Sequence, residues 1–432
     1  MPRWRRVGKE AAWVVVGQMV AMLGGIVGVK LLTVMLPQAE YGMVALGTTI
    51  VGLATVLVFG PLGQGLLRFW STCRAEGRLP ELYRLARNWG VVLGGATLGL
   101  AVAGAIVVGA SYGWRWAWVV ALSCLAATAA GWVSLRQALL LAAQRQRDVA
   151  ILQAGLAVFR GLLAAALVVL FARRAEWALS GQIVAAGIML VIGEWSFRKL
   201  VASDALRGTG LVVPSPGRLP AEVKSYAWPF AVWGLFGWIH SSGDRWILQA
   251  YEGRAVVAGY SVVSQLALFP LVAISGVLFT FGLPIAFARR HAPGPTEQTR
   301  NAARRILWWL VIAYVVLATV TVLIYAVGHA WIVRLVSDAP YVPMSSLLPG
   351  LTVAWGLFYL GQMLSQFGML DLASAQYIPA KIGAAGLLAG SGIPLCAWFG
   401  PSGLLWAVAI AGAAYAGWCG VLAWRRVQSE VL

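Results

Sequence analysis

Ten residues combine chemically useful side chains with places in or beside strongly apolar runs: Arg160, Arg245, Lys30, Arg68, Asp244, Glu194, Asp371, Tyr359, Gln362 and Gln366. An ionised side chain at mid-bilayer costs roughly 2.5–3.5 kcal/mol even on lenient insertion scales, so it normally faces a bundle interior or water. Arginine offers bidentate bonds to an anion and lysine a compact point charge. The four cations describe a path, with Arg68 at the inner mouth, Arg160 in the middle, and Lys30 and Arg245 in the outer half. Spread in this way they suit an anionic headgroup that must be bound and then released.

Each of these residues also has a plainer reading. Arg160 lies about 12 residues, or ~18 Å of helix, from either end of its run, too deep to snorkel; a structural ion pair or backbone cap competes with a cavity-lining role. Lys30 is about six residues from the outer end of its run, ~9 Å by helical rise, where snorkelling competes. Arg68 closes a run at the inner side and also reads as an ordinary loop charge. Asp244, Glu194 and Asp371 are the acids nearest membrane depth, each able to carry a coupling proton or sodium ion, with Asp244 the first choice. Neighbours on a helix point about 100° apart, so Asp244 and Arg245 need not pair. Tyr359, Gln362 and Gln366 share one helix face, suited to sugar hydroxyls or to hydrogen bonding between helices.

The elements that carry these residues follow from hydropathy. The chain has 432 residues, 60% hydrophobic and 11% charged, with a mean hydropathy of +0.79, which makes it an integral membrane protein. Runs of about 20 apolar residues, enough to cross ~30 Å of hydrocarbon as helix, recur twelve times. The predicted spans are 11–36, 42–67, 89–110, 115–143, 149–172, 176–195, 226–250, 256–287, 306–328, 345–370, 378–398 and 402–424. The basic head and long apolar body of the first run read as a retained span, since no small-residue cleavage site closes it. Cys73, Cys124, Cys396 and Cys419 are scattered and read as small core residues, with no disulfide or metal framework. Tryptophans near span ends, among them Trp70, Trp114, Trp228 and Trp331, form an aromatic belt.

A formal net charge of +18 would suit nucleic acid, but the position of the basic residues argues otherwise. They cluster in the N-terminal tail and in the loops Arg68 to Arg87, Arg136 to Arg147, Arg198 to Lys224 and Arg289 to Arg305, with Lys381 and the C-terminal end on the same side. The opposite side has only Arg115, Arg173, Arg174, Arg254 and Arg334. That asymmetry predicts both termini in the cytoplasm and places the basic loops beside anionic lipid headgroups rather than nucleic acid.

A Pro/Gly-rich stretch, "TGLVVPSPGRLP", lies in the longest inner loop. It separates a six-helix bundle over 1–195 from a second over 226–432, with 196–225 as a cytoplasmic linker. A shift of 217 residues places Leu31 on Leu248 and Gly42 on Gly259 and superposes the basic loops. With six spans each, the halves form a parallel pseudo-repeat, and the site is expected between them near the midplane.

Two hairpins carry a family resemblance. "LLTVMLPQAEYGMVALGTTIVGLATVLVFGPLGQGLLRF" contains Pro37, Tyr41 and Gly42 in a Pro-x-x-x-Tyr-Gly turn, and "GDRWILQAYEGRAVVAGYSVVSQLA" contains Asp244, Arg245, Leu248, Gly259, Tyr260 and Ser261. Both resemble the polysaccharide-transport proteins, the lipid-linked oligosaccharide flippases of the multidrug/oligosaccharidyl-lipid/polysaccharide exporter superfamily. The resemblance implies an all-α integral membrane fold, two six-helix bundles around a central cavity. It further implies a flippase that carries an undecaprenyl-pyrophosphate-linked oligosaccharide from the inner to the outer leaflet of a prokaryotic cytoplasmic membrane, for surface polysaccharide synthesis. The partners implied are that lipid-linked glycan, membrane lipids and polysaccharide polymerase or ligase machinery.

No GxxxxGK[ST] loop is present, so ATP hydrolysis by that route is excluded and a secondary carrier, with no cofactor, is expected. A multidrug/cation antiporter of the same superfamily is the nearest rival and would want carboxylates where this chain has cations. A peptidoglycan-precursor flippase shares the pyrophosphate chemistry. A membrane glycosyltransferase or glycan polymerase needs an acid or His/Arg constellation in a sizeable outer loop. The longest outer loop, 329–344, offers only His329, Arg334 and Asp338, so the chain reads as no enzyme.

Overall fold

The structure, a computed structural model, describes residues 3–205, 218–290, 297–370 and 374–428. Those residues are helical almost throughout, as expected where each segment must satisfy its own backbone groups in hydrocarbon. Helices α1 to α4 span Arg3–Met35, Gln38–Ala54, Gly60–Ala75 and Leu79–Tyr112; α5 to α8 span Trp114–Ala142, Gln146–Leu170, Ala175–Ala205 and Arg218–Tyr251. Helices α9 to α12 span Arg254–Arg290, Glu297–Val336, Leu348–Leu370 and Ile378–Gln428.

Ten segments among the described residues are long and apolar enough to cross a membrane. The last of them, Ile378–Arg426, contains a break at Gly400, where φ is 57° and ψ −136°. An L side chain is strained at that φ and glycine is not; Pro401 then starts the second arm with a φ already suited to helix. Gly392 on the first arm faces Leu404 and Ala407 on the second, so α12 is a hairpin of two crossings. α8 is 34 residues long, but its Trp, Gly, Ser, His and charged residues lower its hydropathy. The described helices therefore supply twelve crossings, at the positions of the predicted spans.

α2 and α3 form one crossing joined by a π turn over Thr55–Phe59, in which the Gly60 N–H reaches the Thr55 carbonyl. Pro61 follows directly and cannot donate to an ordinary helical bond, so the wider turn accommodates it. π turns inside helices recur at functional sites.

Packing divides the chain into two compact units, 1–238 and 239–432, with the division inside α8. In unit 1, α5 packs on α2, α3, α4 and α7, and α6 packs on α1 and α7. In unit 2, α11 packs on α9, α10 and α12, touching the second arm where Gly361 meets Tyr415 and Gly412 meets Ala354. The first arm of α12 meets α8 where Gly392 faces Ile247. In each unit the fourth crossing thus packs on the second, third and sixth, and the fifth packs on the first, the neighbour plan expected of a repeat.

Glycine sets the closest approaches. A Cβ on Gly28 would lie 3.0 Å from the Gly161 Cα, and Gly17 and Gly24 face Ala150 and Val158 in the same way. Small residues let helices pack backbone to backbone where lipid gives no hydrophobic drive for association. In unit 1, near the α3–α4 connection, Phe59, Leu62, Leu66, Trp70, Leu82, Leu135, Leu139 and Leu152 form a buried apolar cluster. The four cysteines are buried with free thiols.

Candidate functional site

Arg160 sits on α6, which exposes two strips of different chemistry. One is apolar, with Ile151, Phe159, Leu162, Val169 and Leu170. The other holds exposed Gln153 and Arg160, seven residues apart and so within ~20° of one another, roughly 140° round from the apolar strip. Buried Gly161, Ala164, Ala165 and Val168 separate the two on one flank. The apolar strip suits lipid; a strip of Gln and Arg requires water or a polar ligand. Among the described residues Arg160 makes no ion pair or side-chain hydrogen bond, and Tyr41 is the titratable group within electrostatic range.

Lys30 is half-buried on α1. The contacts Gly17 to Ala150, Gly24 to Val158 and Gly28 to Gly161 run α1 parallel to α6, which sets Lys30 within about one turn of the depth of Arg160. Lys30 follows Gly28 by two residues, about 200° round the helix, so it points away from α6. The two cations share a depth and not a face. Arg68 is exposed on α3, one residue before Phe69, whose ring packs edge-on against Tyr226 of α8 at 6.0 Å.

In unit 2, Asp244 and Arg245 do not pair with each other. The fully buried Asp244 accepts 2.9 Å from the hydroxyl of equally buried Tyr260 and 2.8 Å from the Arg245 backbone N–H. Arg245 is half-buried, its Nε enclosed with no hydrogen-bond partner. Neighbouring residues on one helix thus meet different surroundings: α9 holds the acid, while the Nε of Arg245 is left unmet.

Glu194 has two partners already. It lies 2.8 Å from Arg136 and 3.1 Å from Arg198, and the Arg136 guanidinium rests 4.3 Å over the Phe197 ring. Arg136, assigned from sequence to a basic loop, is buried within α5. Asp371 lies outside the described residues. Tyr359, Gln362 and Gln366 occupy the partly exposed face of α11, and the Gln366 side chain donates 3.3 Å to the Gln362 carbonyl. At the start of α7, Arg115 bridges Glu40 at 2.7 Å and Glu176 at 3.1 Å, tying α2, α5 and α7 together.

Two residues that sequence reasoning passed over are buried here. Lys381, read as an inner-loop charge, is only 5% exposed, with Nζ 5.4 Å from the Phe358 ring. His240, one turn before Asp244, is fully buried and stacks on Phe358 at 4.1 Å. The available signals were weak: a His one turn before an acid, and a Lys inside the run "PAKIGAAGLLAG".

The chain matches, over residues 7–277, the family described as Polysaccharide biosynthesis protein. The chain belongs to this family. No curated protein matches it. Among solved structures, this polysaccharide biosynthesis protein is similar to the lipid II flippase MurJ in an inward closed conformation. That alignment has a TM-score of 0.69 and 10% identity, over 95% of this chain and 86% of that one. A MATE transporter in complex with MaL6 aligns with a TM-score of 0.68 and 12% identity, over 98% and 96%. A MOP superfamily transporter from Pyrococcus furiosus, for which a reversed polarity of the binding pocket suggests a different function, aligns at 0.66 and 13%, also over 98% and 96%. These likenesses show the fold alone, shared along nearly the whole length of the chain.

Proposed function

We propose that this protein is a flippase that moves an undecaprenyl-pyrophosphate-linked oligosaccharide from the inner to the outer leaflet of a prokaryotic cytoplasmic membrane, with both termini cytoplasmic. The observation that carries the reading is Arg160. It is a cation in the middle of an apolar helix, on a polar strip well away from the apolar one, with no counter-ion among the described residues. A pyrophosphate supplies the missing anion and accepts bidentate bonds from a guanidinium. Arg245, with its unpartnered Nε, offers the same chemistry in unit 2, Lys30 adds a second cation near the depth of Arg160, and Arg68 extends the path toward the inner surface.

Family membership supports a glycan cargo over a drug, and the flippase and transporter folds among its structural neighbours support carriage over catalysis. Tyr359, Gln362 and Gln366, on the partly exposed face of α11, suit sugar hydroxyls. Asp244 is the acid we assign to ion coupling: it is buried at membrane depth, whereas Glu194 is neutralised by two arginines. Polymerase or ligase machinery at the outer leaflet would consume the product.

The test is deletion of the gene in its host, followed by assay of the leaflet in which lipid-linked glycan accumulates. Accumulation in the inner leaflet is expected, reversed by the wild-type gene. Undiminished delivery to the outer leaflet, in a strain lacking paralogues, refutes the reading.

A further inference from the structure

One face of α10 changes character along its length. Between Trp309 and Trp331 its exposed side chains include Ile312, Val316, Val320, Leu323 and Val327, each within about 60° of Trp309 at ~100° per residue. No polar residue interrupts that strip. The two tryptophans are 64% and 69% exposed and stand about 22 residues apart, ~33 Å of helix, close to the thickness of a bilayer's hydrocarbon core. Tryptophans at both ends of such a strip mark the two membrane interfaces, so this face looks onto acyl chains.

Beyond Trp309 the same face turns polar. Arg305 precedes Trp309 by about one turn, and Gln298 and Asn301 follow further out, all within about 80° of it. Gln298, Asn301, Arg305, Ile306 and Trp309 line a cleft of about 550 Å³, which Arg289 of α9 completes. α9 and α10 are held together where Gly282 meets Leu310. From that contact Arg289 lies ~10 Å on along α9 and Arg305 ~8 Å back along α10, so the two guanidiniums arrive at one level. Both arginines are exposed, and among the described residues neither makes an ion pair or a side-chain hydrogen bond. Glu297, the acid at the start of α10, points about 100° away from Gln298 and does not line the cleft.

Two cations and two amides at the outer end, with Ile306, Trp309 and an apolar strip at the inner end, call for a ligand with an anionic head and fatty tails. Free phosphate would satisfy the arginines and leave the apolar end unused. A zwitterionic lipid would bring its own cation against two others. An acidic glycerophospholipid meets every part: its phosphate accepts from the guanidiniums, its headgroup hydroxyls suit Gln298 and Asn301, and its chains lie along the strip. Basic pockets between helices at the membrane surface take such headgroups.

We propose that the cleft between the ends of α9 and α10 binds one acidic glycerophospholipid, its phosphate held by Arg289 and Arg305 and its chains packed on Ile306 and Trp309. The site requires neither the cargo nor the direction of transport proposed above.

Native mass spectrometry of the full-length protein, titrated in detergent with phosphatidylglycerol or with phosphatidylcholine of the same chains, tests the site. Wild type is expected to bind its first phosphatidylglycerol about tenfold or more tightly than phosphatidylcholine, given two arginines at the headgroup. Arg289→Gln and Arg305→Gln should each weaken phosphatidylglycerol binding about fivefold, and together about thirtyfold, the scale of surface arginines beside acidic lipid. Phosphatidylcholine binding and heat stability should not change, because both side chains are exposed. Trp309→Ala should weaken both lipids alike, since it removes a chain contact and no charge. Equal binding of the two lipids by wild type overturns the proposal without any variant, and unaltered phosphatidylglycerol binding by the folded double variant also overturns it. Two competitors separate the sources of phosphate. Displacement of phosphatidylglycerol by an equal concentration of inorganic phosphate would make this a free-anion site, and displacement by an equal concentration of undecaprenyl pyrophosphate would make it a cargo site; either result refutes a resident glycerophospholipid.

Discussion

The two units share a neighbour plan and place their polar residues differently on matched crossings. In unit 1 the fifth crossing leaves Arg160 on an exposed polar strip, and the helices beside it approach through glycine and alanine backbones. In unit 2 the first crossing turns His240 and Asp244 inward to zero exposure, and the fifth contributes buried Lys381 against aromatic rings. On the sequence register of the repeat, His240 corresponds to Leu23 and Asp244 to Val27, both exposed apolar residues of α1. Matched crossings of a repeated scaffold can thus expose a charged residue in one copy and bury one in the other, where specific partners hold it. The scaffold is set by small-residue contacts and crossing order, and the chemistry by which face each polar residue takes.

The sharpest way to break this contrast is Arg160→Ala. Outer-leaflet delivery should fall about a hundredfold, since removing a desolvated charged contact typically costs roughly 2–5 kcal/mol. Protein level and heat stability should stay near wild type, because Arg160 is exposed and Gly161 keeps its seat on α1. Normal delivery would leave unit 1 without a functional cation. Next in size, Gly161→Ala should destabilise the protein by about 1–3 kcal/mol, because its Cβ would lie 2.6 Å from the Gly28 Cα. Gly392→Ala, whose Cβ meets the flexible end of Ile247 at 3.0 Å, should cost clearly less. Equal losses in a detergent melting series would remove the difference in packing between the units.

Tyr260→Phe tests the buried side of the contrast. It strips the 2.9 Å donor from Asp244 and should lower stability by roughly 1–3 kcal/mol, with Asp244→Asn in the same background recovering part of the loss. A smaller effect, about 1 kcal/mol or less after solvent screening of the half-exposed carboxylate, is expected for Glu194→Gln, with delivery unchanged. Loss of delivery at normal stability would return Glu194 to the coupling role. Gln362→Ala should have the smallest consequence, a few-fold change in delivery at most, consistent with one exposed hydrogen bond.

Much of the architecture was legible in local composition. Twelve crossings, the one-residue turn at Gly113 and the fold-back at Gly400 and Pro401 are properties of runs and breaks, but many helices run well past the predicted spans, as Leu79–Tyr112 does against 89–110 and Glu297–Val336 against 306–328, because polar turns continue a helix beyond its apolar run. α8 was legible only as a span with anomalies, because hydropathy averaged over a window hides which side of the helix each polar residue occupies. Lys381 shows the limit plainly: a lysine near a span end is ambiguous between loop and core until the rings of Phe358 and Tyr415, from positions distant in the chain, are seen over it.

The sequence by itself determined that the chain is a helical membrane protein, where its apolar crossings lie, and which residues carry charge near them, since all of these follow from local apolar runs and turn chemistry. Only the tertiary structure decided that Asp244 belongs to Tyr260, that Glu194 belongs to Arg136 and Arg198, that Arg160 has no counter-ion among the described residues, and that His240 and Lys381 both meet the Phe358 ring. Those outcomes depend on rotation of each helix about its axis and on neighbours on other helices, 16 and 58 residues away for Asp244–Tyr260 and Arg136–Glu194 and farther still for His240 and Phe358, which no local pattern specifies.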